Sequence, residues 1–303
     1  MMDSTVSVVP ATQLDPASLA ELLNRAFSDY VVAIHLDAED LAAMVRRDDV
    51  RLDLSWVATV HGRPAGLGLL ATRHSRAGLA ARVATMGVVP EHRHAGIGRT
   101  LLRQLIATAR EHGARSVTLE VFTTNEPARR LYAAHGFRPT RRLLGFTLPR
   151  DRLSRPAWAA VALRPIERRE TLSLYAACVS DESPEAQPPW QLDGTVLARL
   201  AAPTAFYAID DAATGTAVGY LVLGRERPAA HLVHLGIVPR YRRRGHGTAA
   251  LHAIFAAHGD LQELHLPQLI PEASSLVPFL TACGATAEPE DQFEMLLVLD
   301  RTP

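Results

Sequence analysis

Apolar residues recur at two different spacings along the chain, and together the spacings predict a mixed α/β fold. Between Gly98 and His112 they repeat every three or four residues, which predicts an amphipathic helix that ends at Gly113. Shorter apolar segments, bounded by turn residues, predict strands. In the first half of the chain we expect strands at 6–9, 54–59, 65–71, 83–89, 116–122 and 143–148, and helices at 15–27, 98–112 and 127–135.

The pattern then repeats. The segment MGVVPEHRHAGIG at 86–98 returns as LGIVPRYRRRGHG at 235–247, and LYAAHGF at 131–137 aligns with FLTACGA at 279–285. The second half predicts a strand at 161–164, a helix at 167–179 and strands at 205–210 and 216–223, followed by the repeated glycine loop. Two units of about 150 residues have the usual size of a domain. We expect them at 1–150 and 157–303, joined at 149–156.

The amino-acid composition excludes several classes of function. The 32 basic and 32 acidic residues balance, so no global charge favours nucleic acid or membrane as a partner. No lysine occurs in the sequence, which excludes a P-loop and a pyridoxal phosphate Schiff base. The two cysteines are too few for a disulfide framework or a cysteine zinc site, and no metal is expected. Without a signal peptide or an apolar run of about 20 residues, we expect a cytoplasmic protein.

The repeated glycine loop is the first candidate site. RxxGxG at 93–98 lies between a predicted strand and a predicted helix, where backbone amides and the helix dipole suit a pyrophosphate. A dinucleotide-binding loop is the weaker alternative, because its glycines follow the strand directly. Here residues 90–95 intervene, and Leu101 stands in place of the third glycine.

Two motifs resemble those of a known family. VxPxxRxxGxG at 88–98 resembles the acetyl-CoA signature of the GCN5-related N-acetyltransferase (GNAT) superfamily. NxxAxxLY at 125–132, followed by Gly136-Phe137, resembles its second signature, and the pattern is most similar to that of ribosomal-protein alanine acetyltransferases. The resemblance implies two tandem GNAT-fold domains that form a pseudo-dimer, in a monomer or a homodimer.

The resemblance also implies a binding mode for acetyl-CoA as cosubstrate. The strand 86–88 would pair its backbone with the pantetheine arm, Asn125 would hydrogen-bond that arm, and the loop would hold the pyrophosphate. The implied cofactor-binding residues are Met86, Gly87, Val88, Arg93, His94, Ala95, Gly96, Ile97, Gly98, Arg99 and Asn125.

Acyl transfer to an amine needs a neutral amine, a stabilised oxyanion and a proton for the leaving thiolate. The motif position implies Tyr132 as the proton donor, although a tyrosine inside a helix is often a core aromatic. The backbone amide of Val88 is the implied oxyanion donor. Glu120 is the implied base, acting directly or through water, although a glutamate within a strand is often a solvated surface residue.

The second half keeps RxxGxG at 242–247 but has Ala273 and Leu280 where the first has Asn125 and Tyr132. Pro267, Pro271 and Pro278 are expected to break up its corresponding strand and helix. We therefore expect a degenerate half, whose binding of CoA and whose activity stay open. The function indicated is N-acetylation of a primary amine of a small molecule or peptide. The alternative is a CoA-binding regulatory or sensor protein without turnover.

Overall fold

The computed structural model describes residues 6–31, 34–75, 78–154, 159–200, 204–226 and 229–299. Part of the predicted junction at 149–156 lies outside these ranges. The chain forms two compact units. Unit 1 comprises residues 1–121, 125–140 and 294–303, and unit 2 comprises residues 122–124 and 141–293.

The first part of the chain contains every helix and strand that the apolar pattern predicts there. Its elements are β1 (Val6–Pro10), α1 (Pro16–Ala26), α2 (Ala38–Arg47), β2 (Val50–Val60), β3 (Arg63–Ser75), β4 (Gly78–Val88), α3 (Ile97–Glu111), β5 (Ser116–Phe122), α4 (Glu126–Ala134) and β6 (Arg138–Pro149). Helix α2 was not predicted.

The remaining elements follow a similar order, and the fold class is mixed α/β as predicted. They are β7 (Val161–Pro165), α5 (Arg168–Val179), α6 (Gly194–Leu197), β8 (Thr204–Asp211), β9 (Ala217–Glu226), β10 (Ala229–Ile237), α7 (His246–Ala257), β11 (Glu263–Pro271), α8 (Leu276–Ala282), β12 (Thr286–Ala287) and β13 (Gln292–Val298).

Strand β11 and helix α8 both form, so the prediction that three prolines break them up is wrong for these elements, although β11 loses its regular pairing around Pro267. Pro267 lies within β11, Pro271 ends it, and Pro278 lies in α8. Between Leu266 and Ile270 the pairing of β11 with β6 shifts register, so Pro267 interrupts no regular ladder there. A proline without an N–H is tolerated where no ladder bond is required.

In unit 1 the strands follow the order β1-β2-β3-β4-β5, with β13 beside β5. The first four are antiparallel and β4 pairs with β5 in parallel. The predicted stripe of α3 is buried in the core together with leucines of α1. Asp15 begins α1 as its N-cap and accepts a hydrogen bond from Ser18 N at 3.0 Å.

In unit 2 the strands follow the order β7-β8-β9-β10-β11-β6, with β10 and β11 parallel. Helix α7 carries the second glycine loop at its N-terminus, as α3 carries the first. Its buried Leu251, Ile254 and Phe255 join the main core of the unit, together with residues of β9, β10 and β11.

The unit boundaries differ from the continuous ranges 1–150 and 157–303 that the repeat predicts. Residues 143–149 of β6 pair with β11 and belong to unit 2. Residues 294–299 belong to unit 1, where Leu299 N donates to Arg115 O at 2.8 Å. Each sheet is thus completed by a strand from the other half of the sequence, which a linear repeat does not reveal.

Candidate active site

Strands β4 and β5 of unit 1 pair for a short stretch and then part. Their parallel pairing covers Ala80–Arg82 and Ser116–Thr118. Strand β4 continues to Val88, and a register shift against β3 leaves Ala84 as an extra residue. Such a bulge bends a strand and increases its twist. The result is a gap between the C-terminal halves of two parallel strands.

The backbone of β4 directs hydrogen-bonding groups into this gap. Val89 N donates to Ala65 O on β3 at 2.9 Å. Because alternate residues of an antiparallel strand point their amides to opposite edges, Val88 and Met86 direct theirs away from β3, toward β5. Gly87, between them, is directed toward β3 and does not face the gap.

The glycine loop leads from β4 into α3 through two left-handed residues, His94 (φ 64°) and Gly96 (φ 82°). Gly96 is the N-cap, and no side chain caps the helix. The first amides of a helix have no intrahelical partner. The N-terminal end of α3, which is the mouth of the loop, therefore carries a partial positive charge. Ile97 is a buried residue, and its side chain belongs to the core of the unit. The predicted phosphate contacts of this mouth are His94, Ala95, Gly96, Ile97, Gly98 and Arg99.

Arg93 binds protein groups on every side. Its Nε donates to Val88 O at 3.1 Å and its Nη2 to Ala26 O at 3.0 Å. Both Nη atoms pair with the carboxylate of Asp29 at 2.7 Å. The guanidinium therefore ties the loop to the end of β4 and to α1, a role different from the cofactor contact that the sequence predicted.

Arg242 repeats this arrangement in unit 2. Its Nε donates to Ile237 O at 3.0 Å and its Nη2 to Cys178 O at 2.6 Å, and it pairs with Asp181 and Glu182. The loop dihedral angles repeat as well, with φ 62° at Arg243 and 81° at Gly245. Each loop thus has an arginine at the same motif position that stabilises its fold, Arg93 in unit 1 and Arg242 in unit 2.

Tyr132, on α4, is a buried phenol. Its side chain packs against Phe137, with ring centroids 6.0 Å apart, and is 7 % exposed. Burial, with a smaller contribution from Tyr30, raises the pKa of Tyr132 well above its ordinary value. Among the described residues, no hydrogen-bond partner is found for its hydroxyl group. The Tyr132 oxygen is not among the fully buried atoms without a partner, so it keeps some accessible surface and has capacity for a ligand.

The elements around Tyr132 converge on the gap. A Cβ built on Gly98 would lie 3.5 Å from Leu131 and 3.8 Å from Val88. The start of α3, the helix that carries Tyr132 and the end of β4 therefore meet at one point.

Asn125 and Tyr30 form another side of the site. Asn125 Oδ1 caps α4 by accepting from Ala128 N at 3.2 Å, and its side chain hydrogen-bonds Tyr30. Burial raises the pKa of Tyr30. Tyr30 also packs edge-on against Phe27, and a Cβ on Gly87 would lie 2.8 Å from that ring. Gly87 therefore keeps β4 in close contact with the end of α1.

The sequence profile of the Acetyltransferase (GNAT) family matches residues 17–137 and again residues 164–268. The chain belongs to the GNAT family. The two matches fall on the two halves that the internal repeat indicates.

Solved structures show the same GNAT fold over the whole chain. A tandem GNAT protein from the clavulanic acid biosynthesis pathway superposes with a TM-score of 0.69 at 18% identity, covering 99% of this chain and 100% of that one. A GNAT from Sphaerobacter thermophilus gives 0.65 at 16% identity, covering 97% and 95%. At these identities the likeness concerns the fold, and it confirms two tandem GNAT domains.

A curated relative shares part of the sequence. A Bacillus subtilis (strain 168) protein, named as a candidate alanine N-acetyltransferase of ribosomal protein bS18, is 36% identical over 59 residues. The match covers 20% of this chain and 39% of the relative. The two proteins are thus similar over about two fifths of the relative's length.

Glu120 of this GNAT chain lies in a buried ion pair. Arg82 donates to Glu120 Oε2 from Nε at 2.9 Å and from Nη2 at 2.6 Å, and the two side chains are 6 % and 5 % exposed. Arg82 is the last β4 residue paired with β5, so the ion pair lies where the gap opens. A mid-strand glutamate was expected to be a base or a solvated surface residue, and the sequence did not indicate Arg82 as its partner.

Three further residues of the GNAT site were missed or left without a role: Phe27, Asp29 and Arg82. The segment after α1 carries no motif, and only the fold brings it to the glycine loop. Among the described residues, no group of three or more His, Cys, Asp or Glu side chains could hold a metal ion. None of the described helices is long and apolar enough to cross a membrane.

Proposed function

We propose that this GNAT chain transfers an acetyl group from acetyl-CoA to a primary amine of a small molecule or a peptide, and that unit 1 carries the reaction. The observation that carries the proposal is Tyr132. Tyr132 is a buried residue whose hydroxyl has no hydrogen-bond partner among the described residues, and it lies on the helix that meets the parted strands.

The chemistry follows from the state of that hydroxyl. The amine nitrogen attacks the thioester carbon, the C–S bond breaks, and the departing thiolate takes the Tyr132 proton. The proton that the amine nitrogen loses passes to solvent, and the phenolate of Tyr132 takes a proton back from solvent. Because burial raises the pKa of Tyr132, the phenol holds its proton at neutral pH and is present as the acid. The backbone amide of Val88, directed into the gap, is the proposed donor to the oxyanion.

The coenzyme is proposed to lie along the same gap. The amides at the start of α3 suit its diphosphate, and the outward backbone of Met86 and Val88 suits the amides of its pantetheine arm. The Asn125 side chain reaches this region from the start of α4. Arg93 and Gly87 act on the shape of the site rather than on the ligand.

Glu120 is the predicted base that removes the amine proton. Both oxygens of Glu120 accept hydrogen bonds from Arg82, so the carboxylate serves the fold at this position. Its role as the base stays a prediction, and the ion pair must be considered in any test of it.

The proposal places the protein in the cytoplasm, as a monomer with an internal pseudo-dimer or a homodimer. Cys178 and Cys283 are free thiols, as a reducing compartment would keep them. The similarity to the candidate alanine N-acetyltransferase makes peptide amino termini one class of acceptor to be tested beside small amines.

Tyr132→Phe tests the reaction. We expect kcat to fall about 100-fold, since general acid catalysis supplies about that much, with affinity for CoA retained. Wild-type kcat should show no loss near pH 10 from this group, because its pKa is raised above 10.0. Acetyl-CoA consumption over amino acids, polyamines, aminoglycosides and peptides gives the readout.

Tyr207→Phe is the matched control, because Tyr207 packs against the core of unit 2 and belongs to none of the elements of this site. A Tyr132→Phe variant with wild-type kcat would contradict the proposed acid. Binding of CoA without turnover on any amine would instead support the regulatory alternative.

A further inference from the structure

Residues 27–30, which follow helix α1, contact three different elements of the unit 1 site. They begin at the C-cap of α1 and belong to neither of the two motifs. Phe27, Asp29 and Tyr30 reach strand β4, the glycine loop and the start of α4, in that order. We call residues 27–30 the clasp.

Phe27 fixes the clasp to β4. A Cβ built on Gly87 would lie 2.8 Å from the Phe27 ring, so this ring lies directly on the backbone of the strand. The Tyr30 ring packs edge-on against it, with centroids 5.1 Å apart, and Tyr30 N donates to Phe27 O at 3.0 Å. Edge-to-face packing is a preferred geometry of aromatic rings, so the position of Phe27 sets that of Tyr30.

Asp29 fixes the clasp to the glycine loop. Its carboxylate accepts hydrogen bonds from both Nη atoms of Arg93 at 2.7 Å. Arg93 Nε donates in turn to Val88 O at the end of β4. A bidentate pair of this kind fixes direction as well as distance. The next residue, Tyr30, is therefore held at a defined position beside the end of β4.

Tyr30 joins the clasp to the start of α4. Its hydroxyl is hydrogen-bonded to the side chain of Asn125, whose Oδ1 accepts from Ala128 N at 3.2 Å. Burial raises the pKa of Tyr30 and the bond with Asn125 lowers it, which is the effect of a donor on a phenol oxygen. The amide nitrogen of Asn125 thus donates and the phenol accepts. Because both ends of the amide have a contact, its orientation is fixed.

Unit 2 has a segment after α5 that makes the first two contacts with other side chains. A Cβ built on Gly236 of β10 would lie 3.0 Å from the side chain of Cys178. Asp181 pairs with Arg242 of the second glycine loop at 3.3 Å. Strand and loop are therefore held by this segment in unit 2 as they are held by the clasp in unit 1.

The third contact also recurs. Glu182, the residue after the paired aspartate, accepts from Ser275 Oγ at 3.0 Å. Ser275 is the N-cap of α8, as Asn125 is the N-cap of α4. Two different pairs of side chains thus make the same connection, which indicates that the connection itself is required.

Tyr30 also lies near the proposed acid. Burial is the larger cause of the raised pKa of Tyr132 and Tyr30 is the smaller one, so the two phenols lie close together. Tyr132 belongs to the helix that Asn125 caps. A change in the bond between Tyr30 and Asn125 therefore acts on the amide and on the start of that helix together.

We propose that Tyr30 is a positioning residue of the acyl-transfer site in unit 1. It holds the amide of Asn125 in the orientation that suits the pantetheine arm of the coenzyme, and it holds the end of α1 against the start of α4. The inference rests on the proposed function and adds to it a residue that lies outside both motifs. Tyr30 acts through Asn125 and not on the reacting atoms.

The test is a double-mutant cycle of Tyr30→Phe and Asn125→Ala, with the affinity for CoA measured by isothermal titration of the full chain. Phenylalanine keeps the ring that packs against Phe27 and removes only the hydroxyl. We expect Tyr30→Phe to weaken CoA binding about threefold to tenfold, the effect of one hydrogen bond. In the Asn125→Ala background it should change the affinity less than about twofold, because the amide that it orients is absent.

Tyr207→Phe is the control and should leave the affinity unchanged in both backgrounds. Thermal melts show whether each variant is folded. Initial rates give a second readout, because loss of a binding contact raises KM without lowering kcat. Tyr30→Phe should therefore raise the KM for acetyl-CoA and keep kcat within about twofold of the wild-type value.

Two results would overturn the inference. One is an unchanged CoA affinity in the folded Tyr30→Phe variant. The other is an equal loss of affinity in the wild-type and Asn125→Ala backgrounds, because Tyr30 would then act independently of the amide. Failure of the proposed function is seen separately, since CoA binding is measured without an amine and Tyr132→Phe reports on turnover.

Discussion

At the scale of single residues, the two loop arginines show how a motif residue can serve the fold of its own loop. Arg93 and Arg242 each bond the carbonyl that ends a strand and the carbonyl near the end of a preceding helix. They fix the path of the chain that turns the loop amides outward. A motif position can therefore be required by the loop even where it has no contact with phosphate.

The Arg82–Glu120 pair leads to a prediction at this scale. Arg82→Met should lower the free energy of unfolding by about 3–5 kcal/mol, because it leaves a buried carboxylate unpaired. The double variant Arg82→Met/Glu120→Leu should recover most of that loss. Urea unfolding of the single and double variants measures both.

The same variants examine the predicted base. If Glu120 removes the amine proton, the double variant regains stability but loses turnover. Recovery of both stability and kcat would show that the carboxylate serves only the fold.

At the scale of elements, helix α4 depends on its N-cap residue. Asn125 caps the helix that presents Tyr132 and also bonds Tyr30. Loss of this cap loosens the turn that precedes the proposed acid. Positioning of the phenol and stability of the helix are therefore linked through one amide side chain.

Asn125→Ala should lower the free energy of unfolding by about 1 kcal/mol, the usual effect of removing an N-cap. Asn125→Asp keeps an acceptor for Ala128 N and should retain most of the stability. Because the aspartate has no N–H to donate, both variants should raise the KM for acetyl-CoA. Thermal melts and initial rates separate the two effects. An unchanged KM in Asn125→Asp would argue against a contact of this amide with the coenzyme.

Most helices and strands could be predicted, because the spacing of apolar residues and the turn residues that bound them are properties of the local sequence. Helix α2 was missed even though Asp37 and Asp40 form a capping box at its start. The second signature placed Asn125 just before a helix and Tyr132 inside it, and the structure has Asn125 as the N-cap of α4 and Tyr132 within that helix. The partners Asp29, Phe27 and Arg82 could not be found, since only strand pairing and helix packing bring them near the motifs.

At the scale of the whole molecule, the exchanged strands limit how the chain can be divided. Unit 1 takes residues 294–299 and gives up residues 141–149. The repeat in the sequence marks related halves, but the cooperative units of the structure are not those halves.

This exchange predicts the behaviour of fragments. A polypeptide of residues 1–150 should be less stable than the full chain, because β5 loses its neighbour β13 and β6 loses β11. A polypeptide of residues 1–140, joined by a flexible linker to residues 292–299, should recover cooperative unfolding. Hydrogen exchange of β5 amides gives the measurement. Equal protection in the two fragments would contradict the assignment of β13 to unit 1.

Because β13 follows all the other strands of unit 1 in the sequence, it is synthesised after them during translation. A ribosome releases α1, β4 and the first glycine loop long before it reaches β13, and contacts between distant parts of a sequence form slowly. The edge of β5 stays open to other chains throughout that interval. Synthesis of unit 1 begins first, but unit 1 lacks β13 until late in translation. A chaperone would therefore act on this incomplete form of unit 1.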